Sequence, residues 1–268
     1  MPISRTDAIV LRSYKYSETS KIVTLYTKAF GKTKVIAKGA RKPKSKFGSA
    51  LEPITEIRAI FYTKEGRELH TLSEADLIYT FAGVKSNFDK LTYASAIVEL
   101  TDRLVIGEES NIGLYRALQG TLSGIECAPQ NVAEKLLWYF QLRVADLFGY
   151  RPKFAHCIRC GQSVIDQHCR FDLAQGGIVC GNCVVRAVPI AGETSLREGR
   201  YVDLDGRSVA FLNRLQNARP DQAADIMTRE GLRGEIREAL RCFLEYHTED
   251  HRKLKSLDFL DKMNDVLV

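Results

Sequence analysis

Four cysteines constrain this chain more tightly than any other residues. Cys157-Ile-Arg-Cys160 and Cys180-Gly-Asn-Cys183 stand nineteen residues apart. Two thiolates three positions apart can face one ion when the backbone makes a tight knuckle, and Gly161 and Gly181 permit such a turn. Two knuckles supply a tetrahedral all-sulfur site, the preferred structural setting of Zn²⁺ with Zn–S near ~2.3 Å, and the spacing fits that signature. The expectation is one structural zinc per chain on Cys157, Cys160, Cys180 and Cys183, with a strand at Cys169–Leu173 between the knuckles, as in a zinc ribbon. His156, His168 and Cys169 are near enough in sequence to replace one ligand. Four thiolates leave no open position for water, which speaks against a catalytic ion. Disulfides, buried free thiols and a redox pair are the alternatives. Seven cysteines is an odd number, and the first residues show no apolar segment with a cleavage site, so disulfides and export are not expected. A redox motif would place a single Cys-x2-Cys on a βαβ unit. Cys127 and Cys242 fall in helical pattern and are expected to be small buried apolar groups.

Around this insert the sequence changes period once. Ala8–Tyr14, Lys21–Thr27, Lys34–Gly39, Ile54–Thr63 and Glu68–Leu72 are short runs rich in β-branched and aromatic residues, separated by Ser, Gly and Pro turn signals. Five strands in under eighty residues predict a five-stranded oligonucleotide-binding (OB) barrel, since a sandwich usually needs about seven. Beyond Val84 the apolar spacing becomes helical, at 91–105, 114–122, 133–148, 209–215, 232–247 and along the tail 254–263. The fold class is therefore α+β and multidomain: an N-terminal OB barrel over residues 1–82, an α-helical bundle from 83–153 and 190–268, and an inserted zinc-ribbon-like module at 154–189. No apolar run approaches the ~18 residues of a spanning helix. The chain reads as soluble and cytoplasmic, with no membrane partner.

Charge is concentrated at one end. Residues 1–50 carry twelve Lys/Arg against Asp7 and Glu18, a local +10 in a chain of net charge +6, which leaves −4 on the remainder. Single-stranded nucleic acid is held by cations that track phosphates and by aromatic faces that stack bases. Both occur here: Tyr14-Lys15-Tyr16 at the end of the first strand, Phe30 in the next connection, Lys32, Lys34 and Lys38 at alternate positions, and the loop Arg41, Lys42, Lys44 and Lys46. The expected site is one continuous positive trough made of these residues. For Tyr14, Tyr16 and Phe30 a place in the barrel core is the competing assignment, and it is preferred for Tyr26 and Phe61. No catalytic residue is identified. Gly31-Lys32-Thr33 ends like a phosphate-binding loop but has Tyr26 where the first glycine belongs, and a strand follows it. His247-Thr-Glu-Asp-His251 puts its glutamate one residue too late for a zinc-hydrolase helix.

Several stretches together resemble the bacterial recombination mediator RecO family: Asp7-Ala-Ile-Val-Leu11, Tyr16-Ser-Glu-Thr-Ser20 with Ile22-Val-Thr-Leu25, Thr27 with Gly31, and Ala37-Lys-Gly-Ala-Arg41 with Lys44-Ser45. Leu147-Phe-Gly-Tyr-Arg-Pro152, Cys157-x2-Cys160-Gly161, Leu254-Lys-Ser256 and Phe259-Leu260 extend the likeness to the C-terminus. The resemblance implies a non-enzymatic, nucleoid-associated role in DNA repair and recombination. Its partners would be single- and double-stranded DNA, RecR, the acidic tail of the single-stranded-DNA-binding protein and, indirectly, RecA. The activities implied are strand annealing and RecA loading. An RNA-binding or transcription-associated OB/zinc-ribbon protein, or an adaptor for an acidic protein, remain open from the residues alone.

Overall fold

The first eighty residues close into a barrel because their apolar side chains recur at alternate positions along five strands. The computed structural model describes residues 2–63, 66–164, 168–186, 201–227, 230–248, 255–256, 258–259 and 262. Its first strands are β1 (Ile3–Lys15), β2 (Lys21–Thr27), β3 (Gly31–Ala37), β4 (Glu56–Tyr62) and β5 (Leu69–Tyr79). They pair in the order β1-β2-β3-β5-β4 and close back on β1, with β3–β5 parallel, which is the OB topology. β1 serves both neighbours by bending: a bulge between Val10 and Arg12 lets its first half pair with β4 and its second with β2. Ala8, Val10, Val23, Leu25, Val35, Ile57, Phe61 and Leu72 fill the interior, with Phe61 in the barrel core as expected; Tyr26 is buried outside that cluster, its hydroxyl on Asn111 O. Phe47, Ala50 and Leu51, from the β3–β4 connection, join this core at no more than 4 % exposure. Each large apolar side chain so buried contributes about 1.5–3 kcal/mol, so the basic loop is anchored through its own apolar residues.

β5 runs seven residues past its expected end at Leu72. Pairing with β3 stops at Thr71, but pairing with β4 continues to Tyr79 opposite Glu56. Three helices follow: α1 (Ala82–Lys85), α2 (Phe88–Leu104) and α3 (Ile112–Cys127). Asn87 and Asn111 cap α2 and α3, their side chains accepting from Lys90 N and Leu114 N. The α2–α3 connection sits directly on the β2–β3 turn. Ser110 Oγ donates to Lys28 O (3.0 Å) and the Tyr26 hydroxyl to Asn111 O (3.2 Å). Gly31 is required there: its φ is +64°, and a Cβ would lie 2.2 Å from Glu109 O.

By compactness the chain divides into Met1–Ala133 with Leu254–Val268, and Glu134–Lys253. Sequence pattern places boundaries at 82, 153 and 189, whereas compactness groups α1–α3 with the barrel. The second unit holds α4 (Ala133–Leu147, from its second residue), β6 (Cys169–Asp172), β7 (Gly177–Cys180), α5 (Gly181–Arg186), β8 (Tyr201–Leu204), α6 (Gly206–Asn217), α7 (Pro220–Ala223) and α8 (Arg233–His247). Its sheet is antiparallel in the order β7-β6-β8. β8 falls in the stretch expected to be helical; four residues carry no period, and pairing with β6 decides their conformation. Helices enclose the sheet: Trp138 of α4 meets Phe211 of α6 edge-on at 5.9 Å, and Phe243 of α8 lies 5.2 Å from Phe171 of β6. His247 Nε2 is 2.8 Å from Leu173 O, while His251 and most of the expected tail helix lie outside the described residues. No helix among the described residues is long and apolar enough to cross a membrane.

Candidate metal centre and nucleic-acid interface

The two cysteine pairs reach one point by different local structures. Around the first, Cys157 N donates to Gln162 O (2.8 Å) and Gly161 N to Cys157 O (2.9 Å). Gly161 takes φ +72°, a left-handed turn that suits glycine. In the second, Cys180 ends β7 and Cys183 lies in the first turn of α5. Gly181 has no positive φ there, so the freedom expected of it is unused. The four Sγ atoms lie within 4.8 Å of one another, and those of Cys160 and Cys180 are 3.7 Å apart. A tetrahedron with ~2.3 Å metal–sulfur bonds has edges of about 3.8 Å.

Proton affinities in the cluster also fit a cation. Burial pushes the Cys157 thiol up, but N–H groups of Cys180, Cys160 and Arg159 outweigh it and hold the thiol at about 6. Cys183 is pushed up to about 12, first by its hydrogen bond with Cys160 and then by burial. A positive ion among the four sulfurs would favour the ionised form of each. Cys169, the nearest expected substitute, is buried with its sulfur 3.9 Å from Val164 O, and burial raises its thiol to about 11. His156 and His168 are exposed and outside the cluster. Cys127 is exposed at the end of α3, against the expectation of burial, and Cys242 is half-buried.

At one end of the barrel the β1–β2 hairpin and the basic loop are joined. Arg41 N donates to Thr19 O (3.0 Å), and its guanidinium donates to Ser17 O (2.9 Å) and Glu18 O (2.8 Å). The loop is thereby seated on the turn that follows Tyr14, Lys15 and Tyr16. Both tyrosines project, at 51 % and 59 % exposure. Lys38, Lys42, Lys44 and Lys46 are exposed, and no ion pair among the described residues engages them. Lys46 Nζ lies 5.4 Å from the Phe47 ring centre. Among the described residues Lys15 and Lys34 pair with exposed acids, Glu18 at 3.9 Å and Glu68 at 3.6 Å, and such pairs are weak. Lys21, one of the twelve early cations but not among the expected site residues, pairs directly opposite Lys15. The hairpin register was the signal that could have found it.

Two expected residues are engaged elsewhere. The Lys32 amine donates to Asp102 O of α2 at 2.7 Å and lies 3.7 Å from the Asp102 carboxylate, which also holds Arg12 at 2.6 Å. Burial lowers the Lys32 pKa and Asp102 partly restores it. Phe30 packs on the barrel core, edge-on to Phe61 at 5.8 Å. The stripe Lys32–Lys34–Lys38 therefore loses Lys32 to α2.

An OB barrel with a basic, aromatic rim, together with a four-thiol cluster able to hold a metal ion, defines the class of protein. The sequence comparisons make it specific. Residues 1–81 match the family described as Recombination protein O N terminal, and residues 85–258 match Recombination protein O C terminal. Relatives named DNA repair protein RecO include those of Pelotomaculum thermopropionicum, 33 % identical over 98 % of this chain and 95 % of the relative, and Anaeromyxobacter dehalogenans strain 2CP-C, 32 % identical over 97 % and 96 %. That of Desulforamulus reducens is 30 % identical over 98 % of this chain and 96 % of its own. The chain belongs to the RecO family of DNA repair proteins.

Proposed function

We propose that this protein is a non-enzymatic recombination mediator that binds single- and double-stranded DNA through the rim of its barrel and anneals complementary strands. With RecR it would help load RecA onto strands coated by the single-stranded-DNA-binding protein, whose acidic tail would dock on the helical part. Docking of the loop on the hairpin through Arg41 carries this reading, because it brings exposed cations and exposed tyrosines to one edge, the two ingredients a single strand needs. Tyr14 and Tyr16 are the proposed stacking residues, worth about 1–3 kcal/mol per base. Lys15, Lys34, Lys38, Arg41, Lys42, Lys44 and Lys46 are the proposed phosphate contacts. Annealing by this route needs only that two polyanions be neutralised side by side with their bases accessible. We further propose that the cysteine cluster holds one Zn²⁺ with a purely structural role, and that the protein works in the cytoplasm on the nucleoid.

The test is strand annealing by wild type and by a Lys38→Gln/Lys42→Gln/Lys44→Gln/Lys46→Gln variant, with and without RecR. Arg41 is kept, since it holds the loop in place. The variant should anneal slowly, and the slope of log affinity against log salt should flatten by about 0.7 per lost phosphate contact, up to about 2.8. Unchanged affinity and rate at low salt would place DNA binding elsewhere, and preference for RNA over DNA in competition would favour the transcription-associated reading.

A further inference from the structure

A second cationic site lies away from the rim. A cleft of about 550 Å³ is lined by Arg5, Asp7, Lys28, Arg58, Ser110 and Ile112, among others. Arg58 Nε pairs with Asp7 at 3.1 Å, so one acid stands against three bases. Arg5 and Lys28 are exposed, and no ion pair among the described residues engages either. Ile112 opens the sixteen-residue α3, whose aligned peptide dipoles add about half a positive charge at that end. The walls are held in place independently of any ligand: Ser110 bonds Lys28 O, Lys28 N donates to Asp7 O at 2.9 Å, and Gly31 lets the α2–α3 connection close onto the turn. Nine strand positions, bent at the bulge, separate Arg5 from Tyr14, at most about 30 Å along β1. One phosphate cannot serve both places.

We propose that this cleft binds a backbone phosphate of a second nucleic-acid strand while the rim holds the first. The inference rests on the proposed function, because it takes the rim as the first-strand site. Its chemistry is that of a phosphodiester: a single negative charge, met by two uncommitted cations and by a third that is only partly neutralised by Asp7. Holding two strands on one barrel gives an annealing protein the local concentration it needs without any nucleotide hydrolysis.

The experiment immobilises the full chain on one poly-dT oligonucleotide and titrates a second, fluorescent poly-dT, so that base pairing plays no part. Wild type should capture the second strand. Arg5→Gln/Lys28→Gln should capture it about 25-fold more weakly at 0.1 M salt, the product of two contacts with slopes of about 0.7, and should retain first-strand affinity within about twofold. Arg5→Lys/Lys28→Arg keeps both charges and should restore capture. Equal second-strand capture by the Gln variant overturns the cleft but leaves the rim intact. Equal loss of both strands shows a single shared site and also overturns it. Failure of wild type to bind the first strand overturns the proposed function itself, and the cleft with it.

Discussion

Asp102 offers the sharpest separation between cations that build the barrel and cations that face a ligand. Its carboxylate is 13 % exposed and holds Arg12 at 2.6 Å and Lys32 at 3.7 Å. Asp102→Asn keeps the shape and the backbone bond from Lys32 but leaves two cations facing each other across a partly buried site. Breaking a fully buried pair typically costs ~3–5 kcal/mol. Arg12 is 53 % exposed and can turn into water, so about 2 kcal/mol is the reasoned loss here. For a unit of this size that is a fall of roughly 4–8 °C in melting temperature, measurable by calorimetry or circular dichroism. DNA affinity at low salt should not fall, because the change releases positive charge. Lys32→Gln should likewise leave the salt slope intact, while Lys42→Gln should lower it by about 0.7 with little change in stability. If Lys32→Gln lowered the slope as much as Lys42→Gln and Asp102→Asn melted like wild type, α2 would not cover Lys32 and the division of roles would be wrong.

Two further outcomes test the second unit. Cys180→Ser should reduce bound metal, read by atomic absorption, and lower the melting temperature of the protein; full metal content and unchanged melting would refute four-thiolate binding. Asp205, which caps α6, is held at about 2 by hydrogen bonds from the Arg207 side chain and backbone, so its stabilisation is present above about pH 4 and is lost as pH falls toward 2; Asp205→Asn should remove part of the acid-induced loss of stability seen by circular dichroism, and an unchanged acid profile would refute it.

What the sequence made legible is what local chemistry alone determines. β2 matches its expected span of Lys21–Thr27, and Cys157, Cys160, Cys180 and Cys183 meet as their spacing predicts. α4 stops before Gly149, which takes φ +84°. The misreadings share a cause, a partner far away in sequence. Seventy residues separate Lys32 from Asp102, and nothing around Lys32 announces that its amine will be bound to a helix. β5 carries Glu74, Asp76 and half-exposed positions past Leu72, so no apolar alternation marks it; β4 alone extends it. Phe30 resembles any loop aromatic until Phe61 is placed beneath it.

The same long-range contacts change what the +10 of the first fifty residues means. A uniform positive face would bind any polyanion and orient none. Here one carboxylate of α2 engages both Arg12 and Lys32, Arg41 holds two loops together, and Lys38, Lys42, Lys44 and Lys46 are exposed with no ion pair among the described residues. Local charge therefore overstates the number of phosphate contacts, and salt-slope measurements should return fewer than the twelve early cations. The structural cations decide where the proposed binding cations stand: the Arg41 bonds fix the loop of Lys38 and Lys42 on the hairpin turn that follows the tyrosines. Replacing Arg41 should thus weaken binding by more than one lost charge, because it would release the loop as well as remove a contact.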